Sequence, residues 1–79
     1  MNIRVLYFAA LAWATGCDAE TMHTSSGNAA ALFDEIAARY RLPFARQHLR
    51  VAINGVFASW DQCLNEGDEV ALLPPVSGG

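Results

Sequence analysis

The sequence has no lysine: its five basic side chains are all arginines, set against eight acidic ones for a formal net charge of −3. No basic stripe exists to neutralise a phosphate backbone, so nucleic acid is not an expected partner. The chain cannot be a lysine acceptor in a conjugation, although it can still be the donor. Cysteine is scarce too. Cys17 and Cys63 are the only two, and they lack the C-x-x-C spacing of a metal or redox motif. So few cysteines do not make the disulfide framework of a small secreted domain, which points to free thiols in a reducing cytosol. Both are expected as small hydrophobic residues in or near the core. Long apolar runs are also missing, none approaching the ~18 residues of a membrane helix. The opening "MNIRVLYFAALAWATG" contains Ala-x-Ala, but only Arg4 supplies positive charge. Cleavage there would remove much of a very small core, so the segment reads as fold and not as a signal peptide.

Catalytic equipment is equally sparse. A self-contained catalyst needs a nucleophile, a base or a ligand set held within mutual reach. His23 and His48 are the only histidines, and both sit in polar surroundings as solvated side chains. The acidic clusters "FDE" and "NEGDE" read as the wet face of a helix and a strand-entry turn. No Gly-rich phosphate loop, nucleophile elbow or metal motif is present. The expectation is no metal site and no stably bound cofactor.

What the chain does contain is core material: 53% of residues are apolar and 16% charged, a balance that folds. Its length suits one domain, here 1–79, with 74–79 as an extended C-terminal tail. "IRVLYFA" is a strand with Ile3, Val5 and Tyr7 on one side and Leu6 and Phe8 on the other. "ALAWATG" is a short helical turn stopped by Gly16. "AETMHT" is a weaker strand before the turn-forming "SSGN". In "AAALFDEIAARY", residues Ala29, Leu32, Phe33, Ile36, Ala37 and Tyr40 form one helical stripe, capped by Ser26 or Asn28 and blocked beyond by Pro43. Asn54-Gly55 joins "LRVAI" to "VFASW" as a hairpin, Leu64 anchors the next loop, and "EVALLP" is the last strand. This order is α+β: a mixed sheet with one main helix over one face. The other parity, with Phe8, Phe57 and Leu73, then lacks a covering element and is a candidate interaction surface.

The last strand runs into Pro74 and Pro75, then Val76, Ser77, Gly78 and Gly79. A C-terminal carboxylate has a pKa near ~3.5 and is a poor electrophile until an oxygen becomes a leaving group, for instance by adenylation. Glycine suits a tail that enters a narrow channel, because it carries no side chain. The prolines keep the exit extended. Four residues beyond them span about 13 Å at ~3.3 Å each.

The block "NEGDEVALLPPVSGG", together with "IRVLYFA" and "VAINGVFAS", resembles the small subunits of molybdopterin synthase, a sulfur-carrier family with the ubiquitin-like β-grasp fold. The resemblance implies that Gly79 is adenylated, converted to a thiocarboxylate, and inserted into a large subunit. There its sulfur goes to cyclic pyranopterin monophosphate, building the dithiolene that binds molybdenum or tungsten. Gly79 would carry the sulfur and Gly78 would give clearance. Phe8, Phe57, Leu73, Pro74, Pro75, Val76 and Ser77 would meet the partner. On this reading the chain is a non-catalytic, sulfur-donating subunit of a cytoplasmic sulfurtransferase complex. The catalytic groups belong to the large subunit, in a heterotetramer of two small and two large chains. An adenylating activating enzyme and a sulfur donor, such as a cysteine desulfurase or rhodanese-like protein, are the other partners. Only a transient AMP adduct and the sulfur would occupy Gly79, and neither nucleic acid nor a membrane is involved.

The family often carries a charged pair in its first turn, where this chain has Ala12 and Trp13, so a polar contact from this turn loses its basis. Trp13 is expected to pack on the core, the alternative being that it extends the apolar patch. Rival readings are a carrier for thiazole synthesis or for thiolation of transfer RNA, a ubiquitin-like protein modifier, and a passive interaction module.

Overall fold

The computed structural model describes residues 1–74, and Pro75, Val76, Ser77, Gly78 and Gly79 lie outside the described residues. The elements follow in the order β1 (Asn2–Tyr7), α1 (Ala10–Thr15), β2 (Ala19–His23), α2 (Ala29–Tyr40), β3 (Arg50–Ile53), β4 (Val56–Ala58) and β5 (Glu69–Leu73). Five strands form one sheet in the order β2-β1-β5-β3-β4. β5 lies in the middle, parallel to β1 and antiparallel to β3. This is the ubiquitin-like β-grasp: a mixed sheet with one main helix.

Local chemistry explains the elements. β1 alternates, with Ile3, Val5 and Tyr7 buried and their neighbours more open, so its two faces differ as the period of a strand requires. Asn54 (φ 52°) and Gly55 (φ 83°) take the paired positive φ of a two-residue hairpin turn between β3 and β4. α2 buries Ala29, Leu32, Phe33 and Ile36, four positions of the expected stripe. Its N-cap is Asn28, whose side chain accepts from the Ala31 N–H. Ser26 does different work, donating from its hydroxyl to Glu35. The helix stops at Arg41, which adopts a left-handed conformation (φ 53°) before Pro43 is reached.

The core lies between α2 and one face of the sheet, where Ile3, Val5, Leu32, Ile36, Val70 and Leu72 are all shut off from solvent. Leu11 reaches it from α1 and Leu64 from the loop before β5, as expected of that anchor. Thr24, the one buried polar residue among those described, donates to Glu35 at 2.5 Å. Glu35 therefore does more than wet the helix face. It ties α2 to the segment after β2 and pairs with Arg39 at 3.7 Å.

Two expectations fail. Trp13 is 90% exposed and does not pack on the core. Leu11 alone among the six α1 residues is buried, and position 13 falls on the opposite side of so short a helix. Cys63 is exposed, since it sits in the loop whose inward position is filled by Leu64, whereas Cys17 is half-buried against the core as expected.

Candidate partner-docking face and tail exit

Strand register determines which side chains share the sheet face that α2 leaves uncovered. Leu6 pairs with Ala71, Ala71 with Ala52, and Ala52 with Phe57, so these residues form a row across four strands. Nearer the point where β5 leaves the sheet, Leu73 pairs with Arg50. Phe8 follows β1 on the parity of Leu6 and approaches the same end. In the opposite direction the row holds Arg4 and Glu69, whose side chains pair at 3.7 Å. Apart from Arg50, the face is thus apolar beside the exit of β5, and the Arg4–Glu69 pair makes it charged away from that exit.

Exposure agrees with this division. Phe57 is 65% and Phe8 44% accessible, while Leu6, Ala71 and Leu73 are half-buried. Phe57 lines two shallow hollows. One, of about 260 Å³, is lined by Gln47, His48, Arg50 and Trp60; the other, of about 380 Å³, by Ile53, Val56, Ser59 and Gln62. The Arg50 guanidinium lies 6.0 Å from the centre of the Phe57 ring, a cation–π arrangement. An exposed aromatic side chain bordering two hollows is a feature of interaction surfaces.

The structure brings Phe8, Phe57 and Leu73 onto one face, as the sequence suggests, with Pro74 continuing from β5. The tail positions Pro75, Val76, Ser77, Gly78 and Gly79 lie outside the described residues. Sequence reasoning missed Arg50, because its place beside Leu73 and Phe57 follows from strand register. It also misplaced Trp13, because nothing in the uncharged stretch 5–17 tells which apolar side chain of the helix turns inward, and the structure buries Leu11.

No catalytic constellation assembles among the described residues. His23 and His48 are exposed, and no group of three or more His, Cys, Asp or Glu is placed to hold a metal among them. The ionisable cluster with displaced proton affinities is structural. The Tyr7 and Tyr40 hydroxyls both donate to the same Glu20 oxygen, at 2.5 and 2.6 Å. Burial first, and then the bond to Glu20, push Tyr7 up; the Glu20 bond is the main cause for Tyr40. Both therefore stay protonated and clasp β1, β2 and α2 together. Among the described residues no helix is long and apolar enough to cross a membrane.

Comparison with known proteins places this geometry in context. The ThiS family pattern matches residues 5–79. The molybdopterin synthase sulfur carrier subunit of Escherichia coli is 38% identical over 80 residues, covering 98% of this chain and 99% of the relative. The crystal structure of SAMP1 from Haloferax volcanii, a small archaeal modifier protein, superposes with a TM-score of 0.79 at 27% identity over the whole of both chains. The complex of subunits 1 and 2 of molybdopterin-converting factor from Helicobacter pylori contains a chain that superposes with a TM-score of 0.70 at 21% identity, again over the whole of both chains. At that identity the likeness is one of fold alone.

Proposed function

Since the chain belongs to the ThiS family, we propose that it is the sulfur carrier subunit of molybdopterin synthase, with the carboxylate of Gly79 as its working group. The observation that carries this reading is the 38% identity to a molybdopterin synthase sulfur carrier subunit across nearly the full length of both chains. In the first step a carboxylate oxygen of Gly79 attacks the α-phosphorus of ATP and pyrophosphate leaves. The outer sulfur of a persulfide on a donor protein, such as a cysteine desulfurase or rhodanese-like protein, then attacks the acyl carbon and displaces AMP. A thiol reduces the S–S bond of the resulting acyl disulfide, leaving with the donor sulfur as a disulfide and freeing the thiocarboxylate. The resulting thiocarboxylate enters the large subunit and gives its sulfur to cyclic pyranopterin monophosphate. AMP and sulfur are passing occupants of Gly79, and the chain holds no resident cofactor.

The fold suits this division of labour. β5 is the central strand, hydrogen-bonded on both sides, so the base of the tail is held firmly. The apolar face beside its exit seats the large subunit, with Phe8, Phe57 and Leu73 as contacts, and docking there directs Pro74, Pro75, Val76, Ser77, Gly78 and Gly79 into the partner. The existence of a two-subunit molybdopterin-converting factor complex containing a chain of this fold supports such a partner. Two small and two large chains form the assembly, and it works in the cytoplasm.

Intact-mass spectrometry tests the proposal. After incubation with its activating enzyme, ATP and a sulfur donor, the chain is expected to show one oxygen-to-sulfur exchange at Gly79. A chain that stays unmodified under full supply would refute it. A second reading, a protein modifier, is favoured by the likeness to SAMP1 at 27% identity. It predicts that the activated chain forms amide-linked adducts with lysines of other proteins, visible as higher-mass species on a denaturing gel.

A further inference from the structure

Helix α1 leaves an apolar stripe without a partner. Ala10, Trp13 and Ala14, spaced i, i+3 and i+4, share one side of the helix, and all three are exposed. The stripe begins where the docking face ends. The Phe8 carbonyl accepts from the Leu11 N–H at 3.0 Å, and the Ala9 carbonyl from the Trp13 N–H at 3.3 Å. One turn of helix therefore separates the Trp13 backbone from Phe8. No charge interrupts the chain between Arg4 and Asp18.

We propose that Trp13 is an anchor residue for the large subunit, extending the sheet-face interface around the end of β1. The inference rests on the sulfur-carrier reading and adds a contact that the sheet face does not supply. Its occupant is an uncharged apolar depression on the large subunit, since α1 offers neither an acid nor a base to pair with. Continuity with the docking face argues for this partner. Area argues against a second copy docked on α1 alone, because a helix of six residues is about 9 Å long and covers far less than the ~800 Å² per partner of a stable interface. Tryptophan suits the role: it is among the residues that dominate binding energy when desolvated at an interface.

Calorimetric titration of the chain with the purified large subunit tests the proposal, using the wild type, Trp13→Ala, Trp13→Glu and Phe57→Asp. Trp13 is too exposed to support the core, so its variants are expected to melt with the wild type. Trp13→Ala should weaken binding by about 30-fold, the scale of an interface anchor, and Trp13→Glu by more. In a Trp60→Phe background, emission from the remaining Trp13 should move to the blue on binding, as water leaves the indole. An unchanged Kd for Trp13→Ala, with Phe57→Asp still defective, overturns the inference and leaves the carrier reading intact. Self-association of the free chain that Trp13→Ala abolishes, with large-subunit binding unaltered, assigns α1 to a second copy and also overturns it. A wild-type chain that neither binds the large subunit nor acquires sulfur at Gly79 overturns both.

Discussion

Ala9 carries more conformational strain than its neighbours. It occupies the second position of a turn closed by the Leu11 N–H on the Phe8 carbonyl, with φ 51° and ψ −125°. That combination belongs to a type II′ turn, whose first central residue is normally glycine because a Cβ crowds the backbone there. The turn is needed to bend the chain from β1 into α1, and so it sets the positions of both Phe8 and Trp13. Replacing Ala9 with glycine is expected to relieve the strain by more than it adds in unfolded-state entropy, raising stability by about 1 kcal/mol. A urea titration measures this through a higher midpoint at unchanged slope. A midpoint equal to or below the wild type would show that the turn is not strained. None of this was legible in the sequence, where "FAALAW" suggests an unremarkable entry to a helix and no glycine marks the turn.

At the scale of elements, α2 was the most readable part of the chain. Its twelve residues have a single apolar stripe, and the bounds Ala29–Tyr40 follow from that periodicity. Its cap was narrowed only to Ser26 or Asn28, since both residue types accept from a free N–H. The structure decides between them by distance: Asn28 Oδ1 lies 2.8 Å from the Ala31 nitrogen. Asn28→Ala is expected to cost about 1 kcal/mol of stability, read by thermal or urea unfolding. Ser26→Ala leaves that cap intact and removes only the bond to Glu35. The hairpin between β3 and β4 was equally plain from Asn54-Gly55. β2 was fainter, because "AETMH" offers few apolar residues and draws its order from pairing with β1.

For the whole molecule, the two tyrosines and Glu20 link acid–base state to folding. Both hydroxyls hold their protons more tightly in the folded chain than in the unfolded one. Below the ordinary tyrosine value of about 10, both states are protonated and the contribution is complete. Above it, the unfolded chain loses protons first, so stability falls as pH rises through the window between unfolded and folded values. Melting temperatures are therefore expected to drop above about pH 10, and the tyrosinate absorbance of the folded chain should rise later than that of free tyrosine. Tyr7→Phe should flatten the alkaline slope while lowering stability at neutral pH, because it removes one bond to Glu20. A Tyr7→Phe slope as steep as the wild type would place the alkaline sensitivity elsewhere.

The amino-acid sequence by itself determined the fold class, the main helix, the hairpin and the absence of a recognisable catalytic motif. These depend on rules that act within a few residues: the 3.6 and 2.0 periods, the turn preferences of Asn and Gly, and the spacing of reactive side chains. It also indicated that one sheet face would want a partner, since there was one long helix for two apolar parities. Only the tertiary structure decided what that face consists of. Leu6, Ala71, Ala52 and Phe57 come from four separate strands and meet through pairing register alone. Arg50 reaches Phe57 for the same reason, and Trp13 faces outward because Leu11 takes the inward position of a helix too short to bury both. Burial of one side chain settles the direction of its neighbours, and which one is buried depends on the packed whole.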